Sequence, residues 1–157
     1  MELKELYKEV ILDHYQNPRN YGEIPYAYSS EGINPLCKSE GENPICGDAI
    51  YIQFLVKDNR LEDIRFTGTG CTISQASASI MTELVKGKSL EDVKTLIIRF
   101  KRIMEGEEDF TEDLGDLLAF EGVRKLPARI KCALLAWEVL LEGIKKYLER
   151  QVERVNV

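Results

Sequence analysis

From Ala49 to Lys57 the chain alternates, with Ile50, Ile52, Phe54 and Val56 on one side and Tyr51, Gln53, Leu55 and Lys57 on the other. Side chains two apart share a face only in an extended backbone, so the run reads as a strand with one apolar face. Asp58-Asn59 supplies a turn, and Leu61 to Thr67 returns as a second strand. A β-hairpin is the natural reading, and the remaining elements are placed around it.

Those elements are mostly helical. Leu3, Leu6, Tyr7, Val10, Ile11 and His14 fall at three- and four-residue steps on one face of a first helix, which Asn17-Pro18 stops. Residues 18 to 47, rich in Gly, Pro, Ser and Asn, read mainly as loop, with room for a short strand over Ile24 to Ser30. After Gly68-Thr69-Gly70 a helix runs from about Cys71 to Lys86. It is crowded with Ser74, Ala76, Ser77, Ala78 and Ser79, small side chains that let its backbone lie close to a neighbour. Ser89 with Asp92 resembles a capping box opening a third helix, with Val93, Leu96, Ile97, Phe100, Ile103 and Met104 as its apolar face and Gly106 as its end. The acidic stretch EGEEDFTEDLGD then reads as a solvated connection; its acids lack the spacing of a calcium loop. Pro127 opens a long amphipathic helix carrying Ile130, Leu134, Trp137, Leu141, Ile144 and Leu148. The order predicts an α+β fold, a small antiparallel sheet packed by several helices.

Composition narrows the function classes. At 157 residues the chain fits one domain, and no apolar run approaches the roughly 18 residues of a membrane span. This predicts a soluble chain without a membrane partner. Net charge is −6 and the basic residues are dispersed among acids, which argues against nucleic acid as a partner. The N-terminus carries charges where a signal peptide has an apolar run, so a cytoplasmic location is expected. In that reducing compartment four cysteines read better as metal ligands or reactive thiols than as disulfides.

Three of the four sit at element edges: Cys46 before the first hairpin strand, Cys71 at a helix start, and Cys132 in the opening turns of the last helix. Cys46 is followed by Gly47 and Asp48. In an extended chain this would aim a thiolate and a carboxylate at one point, with glycine free to adopt the backbone angles required. Cys37 lies in a near-copy of the same phrase, NPLCK against NPICGD, but has no acidic neighbour and reads as an exposed loop thiol. Three thiolates and one carboxylate suit Zn²⁺ or the irons of a small cluster, and the oxygen ligand is the one an incoming sulfur displaces most readily. A helix N-terminus at Cys71, and Arg129 and Lys131 beside Cys132, would favour the charged thiolates. The same spacing also fits Cys71 and Cys132 as small buried hydrophobes and Cys46-Gly47-Asp48 as a plain turn. A disulfide exchange pair of Cys37 and Cys46 and a purely structural zinc site are the competing chemistries. TGTGCTIS lacks the ending of a phosphate loop. His14, on an apolar stripe, reads as a packing residue.

Taken together, DHYQNPRNYG at Asp13 to Gly22, NPICGD at Asn43 to Asp48, GTGCTISQASASIMTELVKGK at Gly68 to Lys88 and LPARIKCALLAW at Leu126 to Trp137 resemble the iron-sulfur cluster assembly scaffold family of IscU, SufU and NifU N-terminal type. The resemblance implies one such domain over residues 1–157. It also implies a metal or cluster site of Cys46, Asp48, Cys71 and Cys132, holding a [2Fe-2S] cluster or Zn²⁺. The partners it implies are a cysteine desulfurase as sulfur donor and apo iron-sulfur proteins or carriers as recipients, with the chain a monomer or homo-oligomer. Cys132 is the expected sulfur acceptor of a scaffold, Cys46 that of a zinc-dependent sulfurtransferase. Where the IscU branch has a histidine before its third cysteine, this chain has Lys131. Together with DLGDLLAFEGV, that makes it look closer to the SufU branch.

Overall fold

The computed structural model describes residues 3–25 and 36–155. Helix α1 spans Leu3–Gln16 and ends before Asn17-Pro18, as expected. Strands β1 (Leu36–Asn43), β2 (Asp48–Lys57) and β3 (Arg60–Thr69) form one antiparallel sheet in that order. Helices α2 (Thr72–Val85) and α3 (Leu90–Met104) follow, then a run of 3₁₀ turns over Glu112–Lys125, then α4 (Pro127–Val155). The α+β architecture is the expected one. The strand expected over Ile24 to Ser30 falls mostly outside the described residues, and Ile24 and Pro25 are not in a strand.

The hairpin of β2 and β3 turns at Asp58 and Asn59, both with positive φ (52° and 61°), the two-residue turn whose twist matches that of the strands. Its inward residues Ile50, Ile52, Phe54, Leu61, Ile64 and Phe66 are buried to 1 % exposure or less. They share one core with Trp137, Phe100 and Phe120; the Phe100 ring centroid lies 4.8 Å from that of Trp137 and 6.0 Å from that of Phe120.

Strand β1 corrects the sequence reading, which took this stretch for loop. Its inward positions are Cys37, Ser39, Gly41 and Asn43, small or polar residues that hide the period-two signal. Their smallness is what α4 needs. The Ser39 hydroxyl donates to the Val139 carbonyl at 2.8 Å, and a Cβ on Gly41 would stand 2.7 Å from Val139 Cγ2. Cys37, opposite Phe54 in the register, is accordingly in the core at 5 % exposure and not an exposed thiol.

Helix α2 uses its small residues as anticipated. Buried Ser77 donates to the Ala133 carbonyl at 2.6 Å and accepts from Trp137 Nε1 at 2.9 Å, so a small α2 side chain meets the α4 backbone directly and its hydroxyl is paired. Ser79 does the same for α1, accepting from the Arg19 N–H at 2.9 Å and meeting His14 Nδ1 at 2.8 Å. The acidic connection is only partly a solvated one. Within EGEEDFTEDLGD only Leu114 is buried; past Gly115, whose φ of 56° interrupts the helical turns, Leu117, Phe120 and Val123 are buried at steps of three, the spacing at which a 3₁₀ helix stacks side chains on one face.

Candidate metal centre

Four segments meet at one end of the sheet. Asn43 and Asp48 are the last paired residues of β1 and β2, and the turn between them carries Cys46. Gly47, at φ 71°, supplies the left-handed residue that lets so short a turn close. Cys46 and Asp48 are therefore brought together by a turn, not by the extended backbone that the sequence suggested. Cys71 is the N-cap of α2, with its sulfur accepting from the Ser74 N–H at 3.4 Å. Cys132 lies in the second turn of α4, fully buried.

One ligand atom each from Cys46, Asp48 and Cys132 lies within 4.8 Å of the others. Tetrahedral zinc with thiolate and carboxylate ligands separates its donor atoms by about 3.3–3.8 Å, so this triad would have to draw together by at most about 1–1.5 Å to close on an ion. Cys71 stands at its margin: its N–H donates to Asp48 Oδ1 at 2.8 Å, and its thiol hydrogen-bonds within the same cluster. Cys37 is excluded. It faces Phe54, six residues along β1 from the site, about 20 Å at 3.3 Å per residue, which also removes the Cys37–Cys46 exchange pair.

The electrostatics are those of crowded anionic ligands. Burial, then the nearness of Cys46, Asp48 and Cys71, pushes the Cys132 thiol well above its ordinary range. This reverses the expectation that basic neighbours would ionise it. Burial alone would raise Asp48 too, but hydrogen bonds from the Cys71 N–H, the Cys132 thiol, the Ser74 hydroxyl and the Cys71 thiol hold its carboxyl below the usual value. Arg129, in the first turn of α4, hydrogen-bonds to Cys132 and faces all three thiols, which raises its own basicity. A divalent cation at the centre would compensate the repulsion that the thiols otherwise resolve by keeping protons. The donor set thus fits a soft metal.

Two residues that sequence reasoning passed over belong to this centre. Asn43 Nδ2 lies 3.4 Å from Asp48 Oδ2 and 3.6 Å from Cys132 Sγ, and the Ser74 hydroxyl donates to Asp48 Oδ1 at 3.0 Å. Asn43 stood in the quoted NPICGD phrase; only the cross-strand pairing with Asp48 reveals its role. Gly70 is a third constraint, since a Cβ there would meet Asp48 Cα at 2.8 Å as well as its carboxylate.

The other candidates resolve differently. His14 is buried, with Nε2 donating to Asp116 at 3.1 Å and Nδ1 engaged by Ser79, as a packing residue should be. Glu83 completes a second group of ligand atoms within 4.8 Å there, but it is shared with Arg19 at 3.9 Å. The start of α2 spends two of its N–H groups, those of Cys71 and Ser74, on Asp48 Oδ1 and Cys71 Sγ, and the nearest anion to it is the Asp48 carboxylate. No described helix is long and apolar enough to cross a membrane.

Comparison with known proteins agrees with this geometry. The family described as NifU-like N terminal domain matches residues 6–154. The zinc-dependent sulfurtransferase SufU of Bacillus subtilis is 43% identical over 145 residues, covering 92% of each chain. The iron-sulfur cluster assembly scaffold protein IscU of Streptococcus pyogenes is 38% identical over 151 residues, covering 96% of this chain and 89% of its own. A crystal structure from Fervidobacterium islandicum, of a proposed SUF-system scaffold protein, superposes with a TM-score of 0.73 at 29% identity, over 91% of this chain and 99% of that one.

Proposed function

This chain belongs to the NifU-like N-terminal domain family, and we propose that it is an iron-sulfur cluster assembly protein that accepts sulfur from a cysteine desulfurase and builds a [2Fe-2S] cluster for transfer to apo-proteins. The observation that carries the reading is the convergence of Cys46, Asp48 and Cys132, with Cys71 beside them, at one end of the sheet. Three thiols and one oxygen can hold iron while leaving one ligand, Asp48, that sulfur displaces.

The sulfur step follows from thiolate chemistry. The acceptor thiolate attacks the outer sulfur of the donor's persulfide; one S–S bond forms, one breaks, the donor cysteine leaves as thiolate, and this transfer is redox-neutral, whereas turning each transferred sulfur into bridging sulfide takes two electrons from an external reductant such as a thiol or an electron-transfer protein. Cys46, half-exposed on its turn, is placed to meet a partner's persulfide, whereas Cys132 is fully buried. Arg129 offers positive charge where the anionic sulfur would enter. A cytoplasmic setting belongs to the same reading, because these thiols work reduced.

A second reading, zinc-dependent sulfur transfer without cluster building, is favoured by the 43% identity to a zinc-dependent sulfurtransferase and by Lys131 in place of a histidine before Cys132. When bound, zinc would hold its thiolate ligands ionised at neutral pH. Elemental and acid-labile sulfide analysis of protein purified anaerobically from its native host separates the two. Iron with matching sulfide supports the scaffold; one zinc per chain without sulfide supports transfer alone. Mass spectrometry after incubation with desulfurase and cysteine should place the added sulfur on Cys46 or Cys132. Sulfur on neither overturns both readings.

A further inference from the structure

We propose that Asn43 and Ser74 are positioning residues that divide the Asp48 carboxylate between them and so set how readily the metal centre exchanges a ligand. The inference rests on the metal-binding reading above. Asp48 Oδ1 has two donors in reach: the Cys71 N–H at 2.8 Å and the Ser74 hydroxyl at 3.0 Å, whose one proton is shared between this carboxylate and the Cys71 carbonyl, also at 3.0 Å, while Gln75 Nε2 donates to the hydroxyl oxygen at 3.0 Å. Oδ2, which meets Asn43 at the longer distance of 3.4 Å, is the oxygen more readily offered to a metal, which would make Asp48 a one-oxygen ligand.

Asn43 addresses that second oxygen. Its two amide protons match its two neighbours, Asp48 Oδ2 at 3.4 Å and Cys132 Sγ at 3.6 Å, one acceptor on β2 and one on α4. The contact to Oδ2 is longer than a good hydrogen bond to oxygen, whereas that to Cys132 Sγ has an ordinary length for sulfur, so Asn43 holds the thiol in line without capturing the carboxylate. Its own place is fixed from two directions. Its carbonyl accepts from the Cys46 N–H at 3.3 Å across the turn, and it pairs with Asp48 at the end of the hairpin. It is 7 % exposed, so water does not substitute for it. One side chain thus ties together the turn bearing Cys46, the strand bearing Asp48 and the helix bearing Cys132. When an incoming sulfur displaces Asp48, Asn43 receives Oδ2 while Ser74 and the start of α2 keep Oδ1, so the carboxylate leaves without swinging into solvent and returns on release.

The test is zinc binding by the purified full chain, read by chelator competition and by chelator-driven release, without desulfurase. Removing a group that orients metal ligands typically costs 10–100-fold in affinity. N43A and S74A should each weaken zinc by about tenfold or more and speed its release. Cobalt-loaded variants should keep the thiolate-to-metal charge-transfer bands, since no ligand is lost. In a D48A background the loss from S74A should vanish and that from N43A should shrink, because both act through Asp48. Metal-free melting temperatures serve as the control; if N43A fails to fold, S74A on a separate element carries the test. Zinc affinity unchanged within twofold in folded N43A and S74A, or equal losses with and without Asp48, overturns the proposal. Failure of the wild-type chain to bind metal through the three cysteines overturns the underlying reading instead.

Discussion

Cys37 and Gly70 show how much a single residue's meaning depends on its neighbours. Cys37 reads in the sequence as a spare copy of Cys46, yet burial pushes its thiol up to about 11, with Arg150 offsetting part of the effect. Because its folded pKa lies above the ordinary thiol value of 9.0, the folded state keeps a proton that the unfolded state loses. Its contribution to stability is whole below about pH 9 and declines as pH rises from there toward 11. In metal-free native protein at pH 8, iodoacetamide should therefore modify half-exposed Cys46 and Cys71 before Cys37, and Cys37 should match them only in denaturant. Equal rates in the native state would place Cys37 outside the core. Gly70 is the opposite case, a residue whose absence of a side chain is the point. At φ 135° and with Asp48 in the space a Cβ would fill, Gly70→Ala forces strain of about 1–3 kcal/mol or moves the carboxylate. Both a lower melting temperature and weaker zinc binding should follow; if neither changes, the β3–α2 junction is more compliant than its geometry implies.

At the scale of elements, the hairpin of β2 and β3, α2, α3 and α4 were legible because each advertises a period, a cap or a turn: the alternation from Ile50 to Val56, Ser89 capping the Asp92 N–H, Pro127 opening α4. Strand β1 was not, because Cys37, Ser39, Gly41 and Asn43 face α4 too closely for large apolar side chains. The 3₁₀ run was passed over because its period of three is neither helix nor strand, though Leu114, Leu117, Phe120 and Val123 were visible as a pattern. Close approach of elements yields a sign test with two glycines. In α4, Ala at Gly143 gains helix propensity of about 0.8–1 kcal/mol, but its Cβ would sit 2.9 Å from Phe54 Cε1 and 3.0 Å from Ser39 Cβ, both on the sheet. Overpacking of about 1–3 kcal/mol outweighs the gain, so Gly143→Ala should lower the melting temperature by a few degrees. Gly122, exposed in the 3₁₀ run with nothing within 4 Å of such a Cβ, should tolerate Ala with unchanged or slightly higher stability. Calorimetry of the pair decides it; stabilisation by Gly143→Ala would mean that α4 is not pressed on the sheet.

For the whole molecule, the sequence placed the four candidate ligands at element edges, but only the fold decides that three edges meet and that Cys37 stays behind in the core. The same geometry separates a metal that works from a metal that merely holds the chain together. Asp48, depressed below the ordinary carboxylate value, contributes stability that is present above about pH 4 and lost as pH falls through its folded pKa. Nothing in that group threatens the metal-free fold at neutral pH. The largest buried side chains, Trp137, Phe54, Phe66, Phe100 and Phe120, belong to the hydrophobic core and not to the metal-ligand cluster. Loading, by contrast, must expel the proton that burial and neighbouring acids keep on Cys132, so apparent zinc affinity should rise about tenfold or more per pH unit between pH 6.5 and 8.5. Two measurements on one preparation then bear on the choice. Chelation should lower the melting temperature only by the binding free energy lost, about 4 kcal/mol if free zinc had stood at 1,000 times Kd, and should leave far-ultraviolet helicity and a cooperative transition in place. If removing zinc instead abolishes the transition, the ion is a structural one, and Asp48 is a ligand that holds the fold rather than one that lets sulfur in.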